Sequence, residues 1–142
     1  MADKLGPGGY NSTQLAINTM IMEMNDIEFQ RLMNSESERY LSKQSLAEED
    51  NIRSQYEPEI ELVKNEMKNS NDKASNEYFE LMSELKDLEE ERDAEIKRIE
   101  DEISDREKQF EIQDTNLETR YNAVKADKEG IEEAQKQDIQ RS

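Results

Sequence analysis

The chain contains no cysteine, no histidine and no tryptophan. Without cysteine no disulfide can staple the fold, and thiol nucleophiles and zinc sites of the usual kind are excluded. Without histidine the common general base near neutral pH is missing. No glycine-rich phosphate loop of the GxxxxGK type is present. Basic residues are scarce, 19 against 36 acidic ones, for a net charge of −17. Such a surface repels phosphates and anionic lipid, so the sequence argues against nucleic-acid binding. No apolar run approaches the roughly 18 residues of a membrane span, and no membrane insertion is expected. The start of the chain lacks the basic segment, apolar run and small-residue cleavage site of a signal peptide. The expectation is a cytoplasmic protein or one exported by a signal-peptide-independent route. Apolar side chains are few as well, 32% against 39% charged, too few for a compact globule of 142 residues. That shortage fits either disorder or a helical assembly that buries only a narrow stripe.

The residues that are present decide between the two. A seven-residue column runs through Ile96, Ile103, Phe110, Leu117, Val124 and Ile131. Residues at that spacing fall on one side of an α-helix, and a sustained repeat marks a coiled-coil seam. A disordered acidic tail has no reason to keep such a register. With Ile99 and Tyr121 beside the column, these eight residues form the predicted seam. The fold predicted is all-α: a long antiparallel helical hairpin or coiled coil, extended rather than globular.

Residues 1–11 hold Gly6, Pro7, Gly8 and Gly9 and are expected to be a flexible lead. Asn11, Ser12 and Thr13 are candidate N-caps. A first helical arm is expected over 12–68, with a kink or short break near Pro58, where one backbone donor is lost. Lys68–Asn76 concentrates Asn, Ser and Asp, which favour turns, so the reversal is placed at 69–76, with Ser75 or Asn76 capping the second helix. That helix is expected over 77–139, secure to about 129 because Gly130 comes after Lys125 and Lys128, with a short tail over 140–142. At about 1.5 Å per residue the arms would be ~85 and ~90 Å long. Matched arms favour the hairpin over a single unbroken helix that pairs in parallel. Hairpin partners should then carry numbers summing to about 145.

The first arm is the most apolar stretch, and its face is too wide for one seam. Leu15, Ile17, Met20, Ile21, Met24, Ile27, Phe29 and Leu32 are the candidate assembly surface; Ile17, Ile21, Met24 and Ile27 make one stripe, and Met20, Met22, Phe29 and Met33 extend it round the helix. A broad apolar face usually touches more than one neighbour, and methionine suits adaptable contacts. Acidic Glu23, Asp26 and Glu28 argue against a membrane-surface helix. On the second helix a companion column reads Tyr78, Leu85, Arg92, Ile99, Arg106, Gln113, Arg120. Arg92, Arg106 and Arg120 are candidate register residues, facing Glu49 and Asp50, Glu36 and Glu38, and Glu23 and Asp26 respectively. A solvated flank of a thin coil accounts for them more simply than register control, since exposed ion pairs contribute little.

No catalytic residue, metal ligand set or cofactor is read from the chain, and an enzyme is not expected. Catalytic carboxylate pairs need a cleft with shifted pKa values, and Glu89–Glu91 reads as a solvated face. Asn69, Asn71, Lys73 and Glu80 fall at calcium-loop spacing, but Ala74 replaces the required glycine and Lys73 places a positive charge among the ligands.

The organisation as a whole resembles the helical-hairpin subunits of type III secretion needles and filaments: a polar start, a Met/Ile-rich first helix, an Asn/Ser turn, a long second helix and no cysteine. Residues 69–75 carry no proline, where the needle subunits have one. The outline is also similar to small secreted hairpins with a Trp-x-Gly turn, which this chain lacks. The resemblance implies a non-catalytic structural protein that self-assembles, such as a filament or secretion-apparatus subunit. The composition equally suits an acidic scaffold, adaptor or chaperone for another protein. The expected partner is therefore a further copy of the chain or a different protein.

Overall fold

In a computed structural model, the chain forms two α-helices packed against each other as a hairpin, α1 (Pro7–Lys68) and α2 (Asn76–Arg141). The structure describes residues 7–141, with side chains described over 11–140. No strand occurs among the described residues.

Helix α1 begins at Pro7, so the flexible lead expected over 1–11 is corrected from that residue on; residues 1–6 lie outside the described ones. Proline is tolerated in a first turn because its missing N–H would be unpaired there anyway. Asn11, Ser12 and Thr13 are consequently inside the helix and do not cap it. Pro58 does not break α1, which runs through it to Lys68. Helix α2 likewise passes Gly130 and includes Gln140 and Arg141, expected as tail. A Cβ at Gly130 would meet nothing within 4 Å, so no neighbour calls for a glycine there.

The reversal occupies 69–75, held by the side chains that predicted it. Asp72 Oδ1 accepts the Ala74 amide at 2.9 Å, and the Asp72 carbonyl accepts the Ser75 hydroxyl at 2.8 Å. Ser75 caps α2: its Oγ accepts the Tyr78 amide at 3.1 Å, the bond an N-cap makes to the third helical residue. Lys73 Nζ lies 5.7 Å from the Tyr78 ring centroid. The calcium-loop spacing is thus a capped turn, and no group of metal-ligating side chains occurs among the described residues. No helix is long and apolar enough to cross a membrane among the described residues.

The hairpin divides into two compact units. One is Glu38–Lys108, containing the turn. Its buried side chains are Leu41, Ser45, Ile60, Val63, Ile96 and Ile99. Tyr56 Oη donates to Glu95 Oε1 at 3.1 Å. The other unit joins the part of α1 up to Ser37 to the part of α2 from Gln109. Its buried residues are Ile17 and Ile27, against a flank of half-buried Phe110, Leu117, Tyr121, Val124 and Ile131.

Within α2 the inward companion column changes. Over 76–108 it is Tyr78, Leu85, Arg92 and Ile99, as the spacing predicts; over 109–141 the half-buried positions are Asp114, Tyr121, Lys128 and Gln135, while Gln113 and Arg120 are exposed. Two successive four-residue steps, 106 to 110 to 114, produce the change. Such a stutter shifts a seven-residue phase because the α-helix turns every 3.6 residues.

Candidate interaction surface

The apolar residues of α1 between 15 and 33 separate into two faces. Ile17 and Ile27 are buried, and Met20 and Met24 are half-buried, all within the hairpin. Leu15, Ile21, Met22, Phe29, Leu32 and Met33 are exposed. The outer residues sit two positions from inner ones: Leu15 from Ile17, Met22 from Met20 and Met24, Phe29 from Ile27. Two residues turn about 200° round a helix, so these side chains point nearly opposite ways. The eight residues expected as one assembly surface are therefore divided. Ile17, Met20, Met24 and Ile27 belong to the hairpin interior, Leu15, Phe29 and Leu32 lie outside it, and Ile21, 38% exposed, sits at its edge.

The outer face has its own seven-residue column, Leu15, Met22, Phe29, with Asn18, Asn25 and Leu32 three residues after each. Met22 is the most open of these side chains at 71% exposure, and Leu15 is next at 67%.

Charged side chains near this face are already engaged. Arg31 Nε and Nη2 donate to Asp114 Oδ1 and Oδ2 at 2.9 and 3.1 Å, and Nη2 lies 3.8 Å from Glu118 Oε2. The guanidinium holds the Asp114 carboxyl below the usual carboxylate range, chiefly through that hydrogen bond. Beside it Asn34 Nδ2 donates to the Phe110 carbonyl at 3.0 Å. Glu23 pairs with Arg120 at 3.8 Å, and Asp26 Oδ2 accepts from Gln30 Nε2 at 2.7 Å. Glu28 accepts from the Tyr121 hydroxyl; that bond, and then burial, raise the phenol above its ordinary pKa.

The expected arginine partners are realised in part. Arg120 meets Glu23. Arg92 turns instead to its sequence neighbour, with Nε 3.0 Å from Asp93 Oδ1. Arg106 is exposed beside a cavity of about 140 Å³ lined also by Leu41, Ser45, Ile99 and Ile103. Arg31, Asn34 and Asp114 do not stand out in the sequence. Their signal lies in the numbering, since 31 and 114 sum to 145.

Of the predicted seam, Ile96 and Ile99 are buried, and Ile103, Phe110, Leu117, Tyr121, Val124 and Ile131 are half-buried. No protein-family model matches the chain, and no curated protein or solved structure matches it either.

Proposed function

We propose that this is a non-catalytic structural coiled-coil protein that self-assembles through helix packing, as a filament or secretion-apparatus subunit does. The observation that carries the reading is the second apolar column of α1, Leu15, Met22 and Phe29, exposed on the side away from α2. A hairpin needs one apolar face per helix, and a second face in seven-residue register is what packing against a further helix requires. The non-catalytic part rests on composition, since the chain offers neither histidine nor cysteine.

Light scattering behind size-exclusion chromatography over a wide concentration range tests the reading. Mass rising above one chain, and falling back to one chain in Met22→Glu, supports it. A single-chain mass at all concentrations overturns it and turns attention to the scaffold or adaptor reading, in which a different protein covers the face. Met20→Glu and Met24→Glu are poorer probes, because both residues are half-buried inside the hairpin.

A further inference from the structure

We infer that the hairpin opens stepwise from the end remote from its turn: residues 11–34 of α1 and 110–140 of α2 part as one cooperative unit while the turn-side unit stays closed.

Both helices carry an interruption that would bound such a step. An inward residue recurs every three or four positions along each helix, as one face of an α-helix requires. In α1 that recurrence fails between Asn34 and Leu41, where residues 35–40 are all exposed. In α2 it fails between Ile103 and Phe110, where residues 104–109 are all exposed. The packing of the remote unit ends at Asn34 and Phe110, joined by a hydrogen bond of 3.0 Å. The packing of the turn-side unit begins at Leu41 and Ile103, which line one cavity. Cooperativity is carried by packed side chains, so a bare stretch in both helices divides the hairpin into units that open separately.

The two units differ in what holds them. On the turn side α2 turns Leu81, Leu85, Leu88, Ile96, Ile99 and Ile103 inward, and Ile96 and Ile99 are buried there. In the remote unit no described residue of α2 is buried, and every second inward place is polar or phenolic: Asp114, Tyr121, Lys128 and Gln135. Ile17 and Ile27 of α1 are the buried side chains it has among the described residues. The remaining ties are polar. Arg31 bonds Asp114 with the side chains 35% and 42% exposed, and Arg120 meets Glu23 with 55% and 46% exposed. Gln135 reaches Gln14 at 3.5 Å. Such solvated ties align helices but contribute little stability, whereas buried apolar area contributes most of it. The remote unit is therefore the weaker one and opens first. Its opening uncovers Ile17, Met20, Met24 and Ile27, the inner face of α1, without unfolding the turn.

Native-state hydrogen exchange of the whole chain in low urea, read by mass spectrometry, tests this. The protein is kept dilute so that self-association does not cover the remote unit. Corrected for local sequence, amides over 14–34 and 114–138 should exchange roughly tenfold or more faster than those over 45–67 and 82–103. They should do so at one common level and with a shallower urea dependence, because their opening exposes less surface. Val63→Ala should speed the turn-side amides about tenfold and leave the remote ones unchanged. Ile27→Ala should speed both sets, since global unfolding includes the remote step. Equal acceleration of all amides by Val63→Ala would mean all-or-none unfolding and would overturn the inference. So would turn-side amides that exchange first, or protection that climbs smoothly from the remote end, the mark of simple fraying. If Val63→Ala does not fold, the urea slopes of the unaltered protein decide alone.

Discussion

Arg31 and Asp114, 83 positions apart, meet through two parallel hydrogen bonds of 2.9 and 3.1 Å. A forked guanidinium on a carboxylate is the most orientation-specific of protein ion pairs. It joins α1 to α2 at one setting of their register, and Asn34 bonded to the Phe110 carbonyl adds a neighbouring tie. The pair is partly open to water, at 35% and 42% side-chain exposure, so its contribution lies in alignment more than in stability.

That pair makes stability depend on acid. Asp114 has a lowered pKa in the folded protein, so its contribution is fully present above the ordinary carboxylate value and fades as pH falls through the lowered one. Asp114→Asn should cost about 0.5–1 kcal/mol at neutral pH, the range of a solvent-screened pair. It should also remove this residue's part of the acid dependence. Urea unfolding of both proteins at several pH values checks it, and parallel stability curves for the two would contradict it.

Tyr121 provides an alkaline counterpart. Its hydroxyl donates to Glu28, so the phenol should ionise above the ordinary tyrosine value. Ultraviolet titration of the protein minus Tyr121→Phe isolates its phenolate signal. Glu28→Gln should shift that signal to lower pH, because the neutral amide no longer disfavours the phenolate.

Ser45 is buried with its hydroxyl donated to the Ser42 carbonyl at 2.8 Å, beside the cavity of about 140 Å³. Leu41, Ile99 and Ile103 line that space together with Gln44, Glu48, Glu102 and Arg106, so a leucine there would meet apolar side chains on one side and the stems of charged ones on the other. Ser45→Leu should stabilise the protein by about 1 kcal/mol, the burial gain less the cost of ordering the side chain. Chemical denaturation measures it, and a loss of stability would mean that the cavity cannot take a larger side chain.

Gly130 is helical, with open space where a Cβ would project. Gly130→Ala should therefore stabilise α2 by about 0.5–1 kcal/mol, chiefly by restricting the unfolded chain. Ser75→Ala should act in the other direction by about 1 kcal/mol through loss of the cap on Tyr78. Thermal unfolding followed by circular dichroism reads both.

The hairpin is legible in the sequence because its signals are local or periodic. Asn, Ser and Asp between Lys68 and Asn76 announce the turn, and the residues from Ile96 to Ile131 announce a helix with a partner. The beginning of α1 is not legible, because Gly8 and Gly9 carry a strong local bias against helix, which the fold overrides. The two faces of α1 cannot be separated by residue type. Ile17, Ile21, Met22 and Met24 are equally apolar, and only the position of α2 decides which turn inward. Arg31 gives no sign of its role, because a lone charge beside apolar residues ordinarily marks solvent. The stutter in α2 hides Asp114, since the column projected from Tyr78 leads to Gln113 instead.

The outward placement of Met22 and Met33 has a chemical consequence. Their thioethers, on side chains 71% and 49% exposed, meet a dissolved oxidant more readily than those of Met20 and Met24, which are half-buried within the hairpin. Conversion to sulfoxide would turn an apolar surface polar without disturbing the contacts between α1 and α2. Peroxide would thus change the outer surface of α1 before it altered how the protein folds, and a sulfoxide reductase would reverse the change.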